Sequence, residues 1–363
     1  MINPETDYAV ILGAGFSKCA GLPLMGELSA FLLSPSFNSE LDQVVNAAIS
    51  EFLGNCFYWR EGDPLPSLED IFTMIDLSAN SGHNLGRKFT PKLLRAVRRL
   101  LVYRVFQILD QKYKASPAIK GFLNKHLASL REKRTHFIVL NWDIVLERHL
   151  EYYSDFGINY CVAASPWFGE DPPSLYEVDI VKVHGSSNWV YCDNCRSLFY
   201  DRYQKLSLII KAGLVKADLR LFDESLKGKE YRIGIETGPR DRCCRKCQCA
   251  VSPHIATFSF RKSFRTHAFA STWLAAARIL ADAKKWIFIG YSLPDADYEF
   301  KHLLKFSHLM FAKGREPTKQ IDVVLLKDKK AEEKFKSLFG ANTISFCQGG
   351  LQRYDGGIIE NGA

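Results

Sequence analysis

The sequence predicts an α/β fold in which a parallel sheet is covered by helices on both faces. Short, largely apolar segments such as Tyr8–Leu12, Phe137–Leu140 and Lys285–Ile289 alternate with stretches of helical periodicity. Strands that are apolar at successive positions are buried on both faces, which is typical of parallel sheets between helix layers. Polar motifs follow directly after these strands, at the edge where ligands bind in open α/β sheets. These observations predict a Rossmann-like parallel sheet.

Other segments extend the sheet and its helices. Val178–Val183 and Ile321–Leu326 predict two further strands, and Trp273–Ala283 and Tyr298–Met310 predict helices. Residues 31–130, between the first two strands, instead carry apolar residues at three- and four-residue spacing. This spacing is typical of amphipathic helices, so we expect a helical insertion there.

The composition is that of a globular protein with an excess of positive charge. The 363 residues are 47% hydrophobic and carry a formal net charge of +8. This charge favours anionic ligands without choosing among them. Arg95, Arg98 and Arg99 fall on a predicted helix, where such a run is more often a solvated face than a nucleic-acid site. We therefore expect nucleic acid to be involved only indirectly, if at all. No stretch reaches the roughly 20 apolar residues of a membrane span, so we expect no membrane association.

Ten cysteines include two Cys-x-x-Cys pairs, Cys192 with Cys195 and Cys244 with Cys247. The first apolar run is a short strand rather than the core of a secretory signal, so we expect a cytoplasmic, reducing location. There, paired cysteines act as metal ligands rather than disulfides, and four thiolates close a tetrahedral structural zinc site. Cys243 and Cys249 crowd the second pair and leave the choice of ligands open. Free thiols are the alternative interpretation.

The predicted fold is therefore a Rossmann-like parallel sheet with a helical insertion and a small zinc-binding module. The Rossmann-like, nucleotide-binding domain is expected to comprise residues 1–30, 131–190 and 255–363. The helical insertion takes residues 31–130, and the zinc-ribbon-like module takes residues 191–254.

A glycine-rich loop follows the first predicted strand. It reads Gly13-Ala14-Gly15-Phe16-Ser17, with Pro23 a few residues on. Two glycines allow a tight turn and a close approach of backbone N–H groups to a phosphate. The usual dinucleotide fingerprint has a glycine three residues after Gly15, where this sequence has Lys18, so an ordinary strand–helix turn is the alternative. The position after the first strand favours phosphate binding.

Three polar motifs stand at the ends of later strands: Asn141-Trp142-Asp143, His184-Gly185 and Gly290-Tyr291-Ser292. Asn and Asp side chains could orient a ribose or a water, and a histidine can accept a proton near neutral pH. The structural alternatives are that Asp143 caps the next helix and that His184 is a hydrogen-bonded structural residue. At least one of Asp295 and Asp297 is expected to cap the helix that follows the third motif.

Taken in order, these motifs resemble the sirtuin family. Sirtuins have a Gly-Ala-Gly-x-Ser loop that runs on to Gly-Ile-Pro, then Asn-x-Asp, a catalytic His-Gly, two Cys-x-x-Cys pairs and a Gly-x-Ser strand end. This sequence has a counterpart to each in the same order, and only residues 31–130 and 196–242 lie outside the resemblance. It implies that NAD is held by residues 13–17, Pro23 and residues 290–292. It also implies that Asn141 and Asp143 orient the ribose and a water, and that His184 is the catalytic base.

The sequence departs from protein-deacetylating sirtuins at three places. Leu24-Met25-Gly26 stands where they have Asp-Phe-Arg, Leu140 where they have Gln, and Phe258-Ser259-Phe260 where they have Phe-Gly-Glu. These departures weaken the case for a peptide-lysine substrate and leave the NAD motifs largely intact.

The pattern is similar to that of divergent bacterial sirtuin-like proteins of anti-phage defence, which hydrolyse NAD to nicotinamide and ADP-ribose. The resemblance therefore implies an NAD+ hydrolase. It also implies a partner such as a hexameric ATPase or another defence component of the Argonaute type, and we expect homo-oligomers. Two alternatives stay open: an NAD-dependent protein deacylase or ADP-ribosyltransferase, and a non-catalytic NAD-sensing subunit of a larger complex.

Overall fold

The structure is a computed structural model that describes residues 6–223, 243–256, 267–310 and 319–355, except the side chains of residues 267–269. The strands are β1 (Tyr8–Leu12), β2 (Thr135–Val139), β3 (Phe156–Asn159), β4 (Ala164–Pro166), β5 (Tyr176–Lys182), β6 (Gly185–Tyr191), β7 (Leu198–Tyr200), β8 (Ser252–Ile255), β9 (Lys285–Ile289), β10 (Gln320–Val324) and β11 (Ile344–Cys347). The helices are α1 (Ala14–Lys18), α2 (Met25–Leu28), α3 (Glu40–Phe57), α4 (Leu68–Ser81), α5 (Pro91–Lys112), α6 (Pro117–Arg131), α7 (Val145–Leu150), α8 (Leu208–Lys211), α9 (Lys216–Arg220), α10 (His267–Asp282), α11 (Tyr298–Met310) and α12 (Lys329–Phe339). None of the described helices combines the length and apolar composition needed to cross a bilayer.

A seven-stranded sheet forms the centre of the fold. Its strands are all parallel and have the order β11-β10-β9-β1-β2-β5-β3. The chain builds outward from β1 through β2 and β5, and then returns to the other side of β1 with β9. The strand order therefore reverses between β1 and β9, which is where open α/β sheets bind their ligands. The predicted α/β class with a parallel sheet is confirmed.

Helices cover both faces of this sheet, because alternate residues of a strand point to opposite sides. In β1, Val10 and Leu12 share a core with residues of α6 and α7. Ala9 and Ile11 instead pack with residues of α10, α11 and α12. Every residue of β1 is buried, which explains why the segment is apolar without alternation.

The long helices α3, α4 and α5 share an apolar core with residues of α8 and α9. Each of the three begins at a hydroxyl side chain, Ser39, Ser67 or Thr90, that accepts a backbone N–H of the first turn. Helix α6 differs, since it packs against β2 and β5 in the layer that covers the main sheet. Residues 31–130 thus contribute to two cores, and the division into three domains stays a proposal.

A second sheet, of order β4-β7-β6-β8, carries the cysteine pairs. Only Val183 and His184 separate the end of β5 from the start of β6, so the chain changes sheets at this corner. Gly185 has a φ of +78°, and a Cβ there would lie 2.0 Å from the carbonyl oxygen of His254. Only glycine fits this corner, which holds His184 between the two sheets.

A buried ion pair ties α7 to β5. Lys182 Nζ lies 3.0 Å from Glu147 Oε1, and at most 5% of either side chain is exposed. Lys182 also donates to the backbone carbonyl of Asp143, just after β2. Burial raises the pKa of Glu147, and the lysine ammonium opposes that shift. The pair therefore fixes the segment that follows β2.

We predict that Lys182→Met destabilises the protein by about 3–5 kcal/mol, because it leaves the Glu147 carboxylate buried without its cation. Urea unfolding followed by circular dichroism measures the loss. The double variant Lys182→Met/Glu147→Leu should recover much of it, since no unpaired charge remains. A double variant as unstable as the sum of the two single variants would contradict this interpretation.

Candidate functional site

A cavity of about 430 Å³ opens at the switch point between β1 and β9. This volume lies in the range of small-molecule and cofactor sites. Its walls come from the segments that follow β1, β2, β5, β9 and β10, so it lies at the carboxyl ends of these strands. The lining includes Gly13, Ala14, Gly15, Ser17, Pro23, Asn141, Trp142, Asp143, His184, Gly290, Tyr291 and Ser292. Motifs from widely separated parts of the chain thus meet in one cavity.

The floor of the cavity is made by glycine backbones in direct contact. Gly15 donates its backbone N–H to the Gly290 carbonyl at 2.8 Å, and Gly13 donates to Ile289 at 3.0 Å. A Cβ on Gly290 would lie 2.2 Å from the backbone nitrogen of Phe16, and one on Gly15 would lie 2.6 Å from the Gly290 Cα. Gly290 also has a φ of +63°. These glycines are therefore required for the two loops to approach one another.

Asn141 links the end of β2 to the glycine loop. Its Nδ2 donates to the Gly13 carbonyl and to Ser17 Oγ, both at 2.9 Å. Both amide protons are thereby committed within the chain. Among the described residues, no donor contacts Asn141 Oδ1, which leaves this oxygen to accept a hydrogen bond from a ligand hydroxyl or a water.

His184 lies in the cavity wall with 7% of its surface exposed. Its Nδ1 donates to the Leu140 carbonyl at 3.0 Å, which assigns a proton to this nitrogen. Its Nε2 faces Asp297 Oδ1 at 3.3 Å. Trp273 lies beside the ring, 6.3 Å between centroids, and donates to the Val183 carbonyl at 3.0 Å. These contacts fix the ring and leave Nε2 as the nitrogen for proton exchange at the cavity wall.

Asp143 lines the cavity and also has a structural role at the start of α7. Its Oδ1 accepts the backbone N–H of Val145 at 3.0 Å, so it does help to start α7. The residue before it, Trp142, packs edge-on against Phe72 and Phe106 and donates to the Ala256 carbonyl. The motif thus anchors the end of β2 to the helical core while its first and third side chains face the cavity.

Phe16 is the one candidate NAD-binding residue that does not line the cavity. Its side chain is 2% exposed and packs in the core that α6 and α7 form on one face of the sheet. The physical reason is that Phe16 lies in the short helix α1 on the face that packs against this core. Its side chain therefore anchors the loop.

Several residues that line the cavity could not have been identified from the sequence. The helical region supplies lining residues that are mostly apolar, and the chain from the end of β10 onward and after β11 supplies others. They are Leu28, Glu69, Val105 and Leu109 from the helical region, Val324, Leu325, Leu326 and Asp328 at and after the end of β10, and Gly350 and Leu351 after β11. An apolar side chain on a helix looks the same in sequence whether it faces a core or a cavity, so only the fold identifies them.

The two Cys-x-x-Cys pairs come together at the end of the second sheet. The sulfur atoms of Cys192, Cys195, Cys244 and Cys247 all lie within 4.8 Å of one another. Two contacts join the pairs, Cys192 to Cys247 and Cys195 to Cys244, each at 3.4 Å between sulfur atoms. Cys243 and Cys249 do not belong to this cluster.

Both cysteine pairs sit in the same backbone turn. The first cysteine of each pair donates its N–H to the carbonyl five residues on, from Cys192 to Ser197 at 3.0 Å and from Cys244 to Cys249 at 2.7 Å. The residue after the second cysteine has a positive φ in both turns, 59° at Arg196 and 63° at Gln248. Two like turns thus aim two sulfurs each at a common point.

This arrangement fits a structural zinc ion. A tetrahedron with zinc–sulfur bonds of about 2.3 Å has sulfur–sulfur edges of about 3.8 Å, within the range of the cluster. Burial raises the pKa of Cys192 to about 12, and a bound cation would offset this cost of forming the thiolate. With four sulfur ligands no coordination position stays open for a substrate, so zinc here would hold the fold rather than react.

The arginine run does not form a free basic patch. Arg98 pairs with Asp76 at 2.9 Å, and Arg99 forms a two-pronged contact with the Asp218 carboxylate. Arg95 donates to the Ala79 carbonyl at 2.9 Å. These guanidinium groups hold α5 to its neighbours.

No protein family matches the sequence, and no curated protein matches it. Among solved structures, the chain is similar to Sir2 enzymes. One, from a study of their mechanism and regulation, is 14% identical with a TM-score of 0.42, covering 96% of this chain and 89% of that chain. A Sir2 complex with a p53 peptide and NAD+ is 12% identical with a TM-score of 0.42, covering 96% and 90%.

A third, a Sir2 with an inhibitor, 2′-O-acetyl-ADP-ribose and a deacetylated p53 peptide, is 13% identical with a TM-score of 0.36, covering 95% of this chain and 89% of that chain. At these identities and TM-scores the likeness is distant, so function is inferred from the residues of the cavity itself.

We predict that the purified chain contains one zinc ion and that Cys195→Ser loses it. Removing one of four ligands opens the site, which should lower the free energy of unfolding by about 4 kcal/mol or more. Metal analysis by mass spectrometry and thermal unfolding measure the two effects.

The matched control is Cys249→Ser, since Cys249 is exposed and lies outside the cluster. It should keep its zinc and remain within about 0.5 kcal/mol of the wild-type stability. Equal losses of zinc in the two variants would show that the ligand set is wrong.

Proposed function

We propose that this protein binds NAD and hydrolyses its nicotinamide–ribose bond, which gives nicotinamide and ADP-ribose. The observation that carries the proposal is the pairing of His184 with Asn141 at one cavity, above the glycine loops of the switch point. Dinucleotides bind at this position of doubly wound sheets, and the cavity has the volume of a cofactor site. The sequence resemblance to sirtuins supports the same assignment.

The dinucleotide would lie across the glycine floor. Gly13, Gly15 and Gly290 allow the two loops to close into this floor, on which a pyrophosphate would lie. One end of the cavity reaches the apolar residues after β10, which suits an adenine ring. The other end holds Asn141 and His184, where the nicotinamide ribose would lie. The formal charge of +8 favours such an anionic ligand over long range.

The reaction breaks the bond between C1′ of the ribose and the nicotinamide nitrogen. The electron pair of this bond leaves with nicotinamide, which becomes neutral, and the positive charge passes to the ribose as an oxocarbenium ion. A water adds to C1′ and gives up a proton to His184 Nε2. Asn141 Oδ1 and Asp143 orient the ribose hydroxyls and this water, and both carboxylate and amide oxygens stabilise the developing positive charge.

The cellular role follows from the sequence resemblance alone. We propose a function in bacterial anti-phage defence, where NAD loss would starve an infected cell. The partner would be an ATPase or another defence component, and homo-oligomers would keep the activity under control. The three departures from deacetylating sirtuins support hydrolysis over transfer to a peptide. Of these, Phe258-Ser259-Phe260 lies outside the described residues.

We predict that His184→Ala slows the release of nicotinamide by about 10²–10⁴-fold, because it removes the positioned proton acceptor. The measurement incubates the pure protein with NAD, with and without candidate partners, and follows nicotinamide and ADP-ribose by chromatography. His83→Ala is the matched control, since His83 is exposed and does not line the cavity. It should leave the rate unchanged.

Three results would contradict the proposal. Unchanged turnover in His184→Ala would remove this residue from the mechanism. Nicotinamide release that requires an acylated peptide would indicate a deacylase instead. Tight NAD binding without turnover, even beside the partner, would indicate a sensing subunit.

A further inference from the structure

Asp297 belongs to the cavity wall rather than to the surface of the helix it precedes. Its side chain is only 6% exposed, and its Oδ1 lies 3.3 Å from His184 Nε2. It also lines the cavity with His184. Asp295, two residues earlier, is 73% exposed and pairs with Lys334 at 2.8 Å. Asp295 and Asp297 thus have different surroundings, whereas the sequence predicted only that at least one of them caps the helix.

The second oxygen of Asp297 is held by a tyrosine. Tyr291 donates its hydroxyl to Asp297 Oδ2 at 2.9 Å. Burial, with the Asp297 charge beside it, raises the pKa of Tyr291 well above its ordinary value, so the hydroxyl stays protonated and remains a donor. The tyrosine ring itself is fixed between Phe288 and Phe300. A chain of contacts therefore runs from the Tyr291 hydroxyl through the Asp297 carboxylate to Nε2 of His184.

The chain of contacts determines what His184 can do. Because Nδ1 donates to the Leu140 carbonyl, a proton taken up by the ring must go to Nε2. That proton would then point at a carboxylate oxygen, which stabilises the imidazolium form. Without the carboxylate, the same proton would have to be stabilised by the cavity alone.

We propose that Asp297 is the positioning residue of His184, which orients the imidazole and stabilises the imidazolium that forms when Nε2 takes a proton at the cavity wall. The catalytic part of this role rests on the proposed function. The effect of Asp297 on the protonation of the His184 ring does not. In hydrolysis the water proton moves to Nε2 as C1′ gains its oxygen, and it remains between Nε2 and Oδ1 until it is released to solvent.

Other groups around His184 affect its protonation less directly. Asp143, after β2, lines the same cavity, but its Oδ1 is bound to the N–H of Val145. Helix α10 presents the neutral Trp273, and β8 contributes His254, whose pKa burial lowers to about 4, so that it stays neutral. Among the described residues, Asp297 is the carboxylate in direct contact with the ring.

The test follows the His184 ring by ¹⁵N NMR of histidine-labelled full-length protein, without NAD. The signal is assigned by its disappearance in His184→Gln. In the wild type, Nε2 should stay protonated to higher pH than in Asp297→Asn, where the amide can donate to Nε2 and favours the neutral ring. Equal titration of His184 in the two proteins would overturn the proposal.

If Asp297→Asn does not fold, the same NMR titration of Tyr291→Phe tests the proposal. This variant keeps the ring packing but removes one hydrogen bond to the carboxylate, which then holds the His184 proton at least as tightly. Loss of the Nε2 proton at lower pH than in the wild type would contradict the proposed contact.

Kinetics test the catalytic part of the inference. Asp297→Asn should lower kcat for NAD cleavage by about 10-fold or more while KM changes far less, because the residue acts on the base rather than on binding. An equal rise in KM with unchanged kcat would assign Asp297 to substrate binding instead. If the wild type cleaves no NAD, the proposed function fails while the NMR result still decides whether Asp297 controls His184.

Discussion

The whole site depends on the contact between the loops that follow β1 and β9. Gly15 and Gly290 meet backbone to backbone, with their hydrogen bond at 2.8 Å and no room for a side chain between them. This contact closes the floor of the cavity and sets the spacing of the strand ends around it. The two strands are neighbours at the centre of the sheet and all their residues are buried, so the floor of the cavity is attached to a well-packed part of the fold.

A second constraint, the corner between the two sheets, positions the reactive side chains near that floor. The chain leaves the main sheet at Val183 and enters the second sheet at Gly185, so His184 is held at the junction of two hydrogen-bonded sheets. The imidazole, the Asn141 amide and the Asp297 carboxylate come from three different strand ends, and each is bound to backbone or to a buried partner. Such fixed polar groups need little reorganisation when charge develops on a substrate.

The sequence predicted those parts of the structure whose local pattern has one physical explanation. The strand Tyr8–Leu12 is apolar throughout because both its faces are core, and four cysteines in two like turns converge on one point. The second sheet was not predicted, because β4 and β7 have three residues each and β6 begins with polar residues. The role of Asp297 was also missed, since a residue before a helix looks like a cap until the fold places His184 beside it.

The most direct test of the proposed site is a crystal structure of the protein with an NAD analogue whose glycosidic bond cannot be cleaved. We expect the pyrophosphate to lie on the glycine floor and C1′ of the nicotinamide ribose to lie between Asn141 and His184. An analogue bound elsewhere on the chain, or lying in the cavity with its nicotinamide ribose at the end formed by the segment after β10, would contradict it.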